Sequence, residues 1–130
     1  VLELAASSVL SFQTPDVDGY TTQFELLYGD VRIVYTSLPV KRIVEECALK
    51  RGLPLAPSLG IGSYLCNAAG FIIMDYARRN RAVGGFIHLP PHTDLAMRIG
   101  LGFSLPLSVI LESLECVLEV TLEEHSKRVL

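Results

Sequence analysis

The sequence predicts an α/β fold, with helices packed on both faces of a sheet. Three observations lead there. Short β-branched and aromatic runs alternate along the chain with amphipathic stretches of helical period. Half of the 130 residues are hydrophobic, and only 19% are charged, the reverse of a disordered composition. No repeat, linker or low-complexity tract divides the chain, so residues 1–130 read as a single domain. A domain of this size buries roughly 65–70% of its unfolded surface, enough for a real core.

The elements follow in order. Val1 to Leu10 is ambiguous between strand and helix. Val31 to Tyr35 is β-branched and aromatic, hence a strand. Ser37 can cap the next helix and Pro39 suits its first turn. Val40, Ile43, Val44 and Cys47 then share one face, and Gly52 and Pro54 stop the element. Leu53 to Pro57 can form a short strand. A glycine-rich turn, Ser58 to Gly62, precedes a helix capped by Ser63 that carries Leu65, Ala68, Phe71, Ile72 and Tyr76 on its apolar face. After Gly84-Gly85 comes a buried strand, Phe86 to Leu89, ended by Pro90-Pro91. A long amphipathic helix covers residues 105 to about 126, with an apolar stripe of Leu107, Leu111, Leu114, Leu118 and Leu122.

Charge and composition remove several functions. The formal net charge of -3 gives no electrostatic case for nucleic acid. The one basic cluster, Arg78, Arg79 and Arg81, reads as a helix end, where cations complement the dipole. No stretch approaches the roughly 20 apolar residues of a membrane span, and no signal peptide is visible. Cys47, Cys66 and Cys116 are odd in number and widely spaced. They make neither a disulfide framework nor a zinc motif, so the expectation is a reducing, cytoplasmic compartment. Cys47 and Cys116 read as small buried hydrophobes within helices.

The chemistry-bearing candidates are Cys66 and His88. Cys66 follows a glycine turn and falls in the first turn of a helix, where free N–H groups and the dipole favour a thiolate, the nucleophile of thiol hydrolases. A small buried hydrophobe is the competing reading. His88 ends a buried strand before Pro90, at a sheet edge where catalytic groups meet ligands. It could move a proton between a thiol and a leaving amine, or simply hydrogen-bond backbone. His88 and His92 are four apart, but the two intervening prolines exclude a helical metal pair, and no metal site is expected. His125 reads as a surface residue near a helix end. Glu3 alone would normally be a surface carboxylate, although a Cys-His pair gains from a third group that orients the imidazole.

Taken together, the motifs resemble a known family. Ser58 to Asn67, read as S-x3-G-x-Y-x-C-N, is similar to the nucleophile signature of pyroglutamyl peptidases. Phe86-Ile87-His88-Leu89-Pro90 resembles their histidine motif, and Thr36-Ser37-Leu38-Pro39-Val40 the segment upstream of the nucleophile helix. Glu3 precedes Pro15-Asp16 by the interval that separates the family's catalytic glutamate from its P-D turn, and Gly19 falls in place. The resemblance covers essentially the whole chain. It implies Cys66 as nucleophile, His88 as general base and then acid, Glu3 as the group orienting His88, and the Leu65 backbone as a hydrogen-bond partner of the substrate's lactam. It further implies a three-layer α/β/α sandwich, often assembled as a tetramer, that removes N-terminal pyroglutamate from peptides without metal or cofactor. A homo-oligomer is therefore expected, with no nucleic-acid or membrane partner.

The chain departs from the family pattern in several places. The N-terminal G-F-x-P-F-G segment that clasps the pyroglutamate ring, and the glycine-rich stretch after it, do not occur. Gln13 stands where the family often has an Arg, Ile61 replaces a small residue of the glycine turn, and Ser8 replaces an Asn. The expectation is that these 130 residues are the C-terminal two-thirds of a longer chain. A shortened homologue that lost turnover, keeping an oligomerising or ligand-binding role, is the other reading. A thiol amidase acting on a different acyl group is a third.

Overall fold

A computed structural model describes residues 1–129. In chain order the elements are β1 (Leu2–Glu3), β2 (Ala5–Ser7), β3 (Val9–Phe12), β4 (Thr22–Leu26), β5 (Ile33–Tyr35), α1 (Val40–Ile43), β6 (Pro57–Ser58), α2 (Leu65–Asn80), β7 (Phe86–Ile87), α3 (Thr93–Ile99) and α4 (Leu107–Val129). A π-helical stretch, Val44–Lys50, continues α1. The fold is α/β, as composition and period predict. Strand β1 lies between β6 and β7 in a three-stranded sheet, and β2–β5 and β3–β4 form two antiparallel pairs. Among the described residues no helix is long and apolar enough to cross a membrane.

The residues group into two compact units. A sheet unit contains Glu3–Leu38 and Ser58–Phe86; a helical unit contains Val1–Leu2, Pro39–Pro57 and Ile87 onward. In the sheet unit, the ambiguous opening segment is extended. β2 pairs with β5 through Ala5–Tyr35, Ala6–Val34 and Ser7–Ile33. The chain breaks at Ser8 and resumes as β3, which forms a bulged hairpin with β4. Asp16 organises the loop between them by accepting from the N–H groups of Asp18 and Tyr20, 2.9 Å each. The core is Ala6, Val34, Ile61, Phe71 and Met74. Burying Phe71 and Met74 completely contributes roughly 1.5–3 kcal/mol apiece.

The inward row of α2 differs from the expected one. Leu65, Ile72 and Tyr76 are 44–63% exposed, whereas Asn67, Gly70, Phe71, Met74, Asp75 and Ala77 face in. Hydrophobic period missed the row because it carries an amide, a carboxylate and a glycine. Gly70 faces the sheet closely: a Cβ there would lie 2.6 Å from the tip of the Ile61 side chain, Cδ1, and in ordinary contact, 3.5 Å, with the Ala6 Cβ. The caps differ too. Ser63 does not cap α2; its hydroxyl donates to the Ser11 carbonyl. Ser37 does not cap α1; its hydroxyl donates to the Gly84 carbonyl at 3.2 Å and accepts from the Gly84 N–H at 2.8 Å, tying the end of β5 to the approach to β7. Arg78 and Arg79 close α2 as expected, and both pair with Asp75, at 2.9 and 2.7 Å, with Arg32 at 3.7 Å.

In the helical unit, Cys47 and Cys116 are not free. They form a disulfide with Cα atoms 5.9 Å apart, joining the π-helical stretch to α4. The odd count misled because Cys66 is the unpaired one. The bond also orients α4. Ile110, Ser113, Cys116, Val117 and Val120 are buried, while Leu107, Leu111, Leu118 and Leu122 are 50–65% exposed. The helix carries two apolar rows, and period alone could not say which faces in. Arg51–Glu119 and Arg42–Glu124 add ion pairs between the same segments, at 2.9 and 3.6 Å. Helix α3 was not foreseen; His92 caps it, its Nδ1 accepting from the Leu95 N–H at 3.4 Å, and Gly100 ends it in the left-handed region.

Two stability predictions follow from these contacts. The disulfide closes a loop of 69 residues, which stabilises by about 4 kcal/mol through the unfolded chain. Dithiothreitol, or the Cys47→Ala/Cys116→Ala double variant, should therefore lower the denaturant midpoint substantially; an unchanged midpoint refutes the link. Asp75 is held below its ordinary value of 3.8, first by its hydrogen bond to Arg78 and then by the charges of Arg79 and Arg32. Its contribution is thus present above that ordinary value and is lost as pH falls through the depressed one. Asp75→Asn should lower stability at pH 7 and flatten its decline below about pH 4, read by thermal unfolding across pH.

Candidate active site

The sheet unit builds the surroundings of Cys66 from a turn that only glycine accommodates well. Gly62 has φ +84, a left-handed conformation that costs other residues. Tyr64 then turns the chain as the helix N-cap, with an extended backbone and no side-chain cap. Its carbonyl accepts from the N–H groups of Asn67 (2.9 Å) and Ala68 (3.2 Å), starting α2. Leu65 and Cys66 occupy the first turn, where helix geometry supplies no acceptor for the N–H groups. Such a place favours an anion, whether thiolate or oxyanion. Cys66 is half-buried against the core cluster and is the free thiol of the chain.

The turn is anchored on both sides. The Ser11 N–H donates to the Ser63 carbonyl at 3.1 Å, opposite the Ser63 hydroxyl bond already described. Tyr64 packs edge-on against Phe12, ring centres 4.7 Å apart, and its hydroxyl donates to the Pro15 carbonyl at 3.2 Å. Ile61, the departure from a small residue, fills the core above Gly70. A cleft of about 170 Å³ adjoins the turn, bounded by Ser7, Ile33, Leu59, Ile61, Gly62 and Asn67; Cys66 is not among its walls.

Glu3 belongs to the same unit and corrects the default for an isolated terminal carboxylate. It is 1% exposed, in the middle strand of the three-stranded sheet. A buried carboxylate is costly and marks functional positions more often than an exposed one. Leu65 is about half exposed. His88 belongs to the helical unit. Just after β7, its N–H donates to the Val1 carbonyl at 3.0 Å and its carbonyl accepts from the Val1 ammonium at 2.8 Å. Its half-buried ring borders a small cavity with Pro54, Leu55, Leu105 and Ile110. His92 is spent on capping α3 and His125 is exposed. Among the described residues no group of three metal-ligating side chains forms.

Sequence reasoning passed over two residues. Asn67 is fully buried beside the thiol, and the only signal was its place in the motif after Cys66. Asp75 is the other, hidden because a carboxylate on an inward helix face looks like a break in the pattern.

Comparison with known proteins agrees with the motifs. The family model described as Pyroglutamyl peptidase matches residues 2–124. Pyrrolidone-carboxylate peptidase 1 of Saccharolobus solfataricus is 35% identical over 96 residues, 73% of this chain and 45% of that protein. The pyrrolidone-carboxylate peptidase of Erwinia tasmaniensis is 29% identical over 122 residues, 93% of this chain and 57% of that one. Among solved structures, pyrrolidone carboxyl peptidase from the hyperthermophile Pyrococcus furiosus superposes with a TM-score of 0.83 at 28% identity, covering 95% of this chain and 62% of the other. The chain thus spans about half the length of the curated relatives it matches. With a match running from residue 2 to residue 124, the chain belongs to the pyroglutamyl peptidase family.

Proposed function

We propose that residues 1–130 form one functional domain of a cysteine exopeptidase that removes N-terminal pyroglutamate from peptides. The observation that carries this reading is Cys66: a free thiol in the first turn of α2, behind a glycine turn, in a chain of this family. The Cys66 thiolate attacks the exocyclic carbonyl of the pyroglutamyl residue. First-turn N–H groups, that of Cys66 included, stabilise the oxyanion. His88 carries the thiol proton to the leaving amine as the amide bond breaks, leaving a thioester. Water, deprotonated by His88, then attacks the thioester, and pyroglutamate leaves as the thiol is restored. Glu3 fixes the tautomer and orientation of His88 and favours its cationic form. The backbone of Leu65 takes one hydrogen bond of the lactam. No step requires a metal or cofactor.

The complete protein is proposed to work in the cytoplasm. The Cys47–Cys116 bond would persist there only in a setting that tolerates intracellular disulfides, as the proteins of hyperthermophiles do. It is also proposed to self-associate. The exposed row of α4 is self-complementary in spacing: with two copies antiparallel about a two-fold axis near Leu114, Leu107 meets Leu122 and Leu111 meets Leu118.

In the full-length protein, Cys66→Ala should abolish hydrolysis of a pyroglutamyl amide while the fold persists. His88→Gln should cut kcat by about 10²–10⁴-fold and remove the acidic limb of the pH–rate profile. Glu3→Gln should lower kcat less severely. Normal turnover by Cys66→Ala defeats the assignment; an unchanged rate in Glu3→Gln leaves a Cys66–His88 dyad. Prolyl and glutaminyl amides in the same assay separate a pyroglutamyl peptidase from another thiol amidase, and rapid alkylation of Cys66 separates an enzyme from an inactive homologue. For association, Leu111→Glu/Leu118→Glu should reduce the mass seen by light scattering; an unaltered oligomer would place the interface elsewhere.

A further inference from the structure

Asn67 is 0% exposed and follows Cys66 directly, and its side chain bonds outside its own helix. Oδ1 accepts from the Ser7 N–H at 2.9 Å. Nδ2 donates to the Ser7 carbonyl at 2.9 Å and to the Val9 carbonyl at 2.8 Å. Two of these bonds use the N–H and carbonyl of one residue, the pairing that a neighbouring strand would supply. They fall where β2 ends and β3 begins, so the amide bridges the interruption at Ser8. Ser8 is itself buried and committed elsewhere: its hydroxyl donates to the Asp30 carbonyl and accepts from the Arg32 N–H. The junction therefore cannot slide to meet the helix; the helix is held to the junction.

We propose that Asn67 is a positioning residue for Cys66: its buried amide fixes the first turn of α2 on the Ser7–Val9 junction and so sets the direction of the thiol and of the first-turn N–H groups. The inference rests on the reading of Cys66 as nucleophile. Cys66 lies between two anchors, the Ser63–Ser11 pair three residues before it and the Asn67 bridge immediately after. Neighbouring Cα atoms are about 3.8 Å apart, so a shift of Asn67 passes almost undiminished to Cys66. Nucleophilic attack tolerates little of that: a misplacement of about 1 Å can cost a hundredfold in rate. Ser7 also lies four residues after Glu3 on the same extended stretch, so the amide registers the nucleophile's helix against the segment that carries the carboxylate.

The test uses the full-length, oxidised protein, with alkylation of Cys66 followed by peptide mapping; the Cys47–Cys116 bond removes the other two thiols of residues 1–130. Asn67→Ala removes every hydrogen bond of the amide, including the weak one from Nδ2 to the Ser7 hydroxyl at 3.5 Å. Asn67→Asp keeps the shape but sets oxygen against two carbonyls. Both variants are assayed with a fluorogenic pyroglutamyl amide, well below the unfolding temperature of each. The expected result is a fall in kcat of about 30-fold with KM changed less than about threefold, and a roughly tenfold slower alkylation of Cys66 at pH 7. A buried amide that only stabilised the fold would lower the unfolding temperature and leave both readouts alone; that outcome overturns the proposal. Failure of both variants to fold also overturns it, because Asn67 is then a folding determinant. Cys66→Ala serves as the control. If it remains active, the nucleophile reading fails; if it is dead while folded Asn67→Ala runs at full speed, only the role of Asn67 fails.

Discussion

The close approach at Gly70 is the constraint on which the sheet unit depends. With no Cβ at that position, α2 rests against Ala6 and Phe86, and the tip of Ile61 occupies the space a side chain would fill. The polar side chains on the same face of the helix then become useful. From this seat Asn67 bonds the backbone of Ser7 and Val9, and Cys66 packs in part against the core. Packing and polar satisfaction are therefore one event here. An alanine at 70 would first displace the tip of Ile61, since Ala6 and Phe86 lie at ordinary contact distance.

Two acids are buried among the described residues, Glu3 and Asp75. Asp75 has three guanidinium groups around it, and Arg32 is further fixed by lying over the rings of Tyr28 and Phe71, 5.8 and 5.4 Å from their centres. That cluster is a structural fastener between the end of α2 and the chain entering β5. Its partners account for its shifted ionisation, so a strongly held carboxylate is not by itself a sign of catalysis. Glu3 is placed by the backbone instead. It lies in the middle strand of a sheet beside Leu2, which is buried as completely, so alternation does not decide its burial.

How much of this was legible in the sequence follows from what each signal measures. Hydrophobic period finds where apolar surface lies, and it located β5, α2, β7 and α4 to within a few residues. It cannot rank two apolar rows on one helix, which is why the leucines of α4 were assigned inward and the Ile110–Val117–Val120 row was not. The choice was made by Cys116, through a partner 69 residues away that no local pattern contains. Serine capping failed for a related reason. Ser37 and Ser63 stand where helix caps should, but Gly84 and Ser11 offered their hydroxyls better-placed partners. The motif around Cys66 was legible because its order is local; the work of Asn67 was not, because its bonds reach across 58 to 60 residues.

The departures from the family pattern gain a physical meaning from the same contacts. An isoleucine in the glycine turn looks like an insult to a nucleophile loop. Ile61 instead points into the core, 8% exposed, over the missing side chain of Gly70. The added bulk is thus absorbed in the core, against which Cys66 also packs, and the turn keeps the left-handed Gly62 that brings Tyr64 to the helix start. Ser8 follows a parallel logic. A serine hydroxyl spans one donor and one acceptor, here the Arg32 N–H and the Asp30 carbonyl, so a shorter side chain still closes the junction that Asn67 grips. Substitutions at these positions redistribute contacts inside the sheet unit while the first turn of α2, with Leu65 and Cys66 on it, retains both of its anchors. The tolerance of the site to such changes follows from where the anchors attach: to backbone groups of Ser7, Val9 and Ser11, which no side-chain replacement removes.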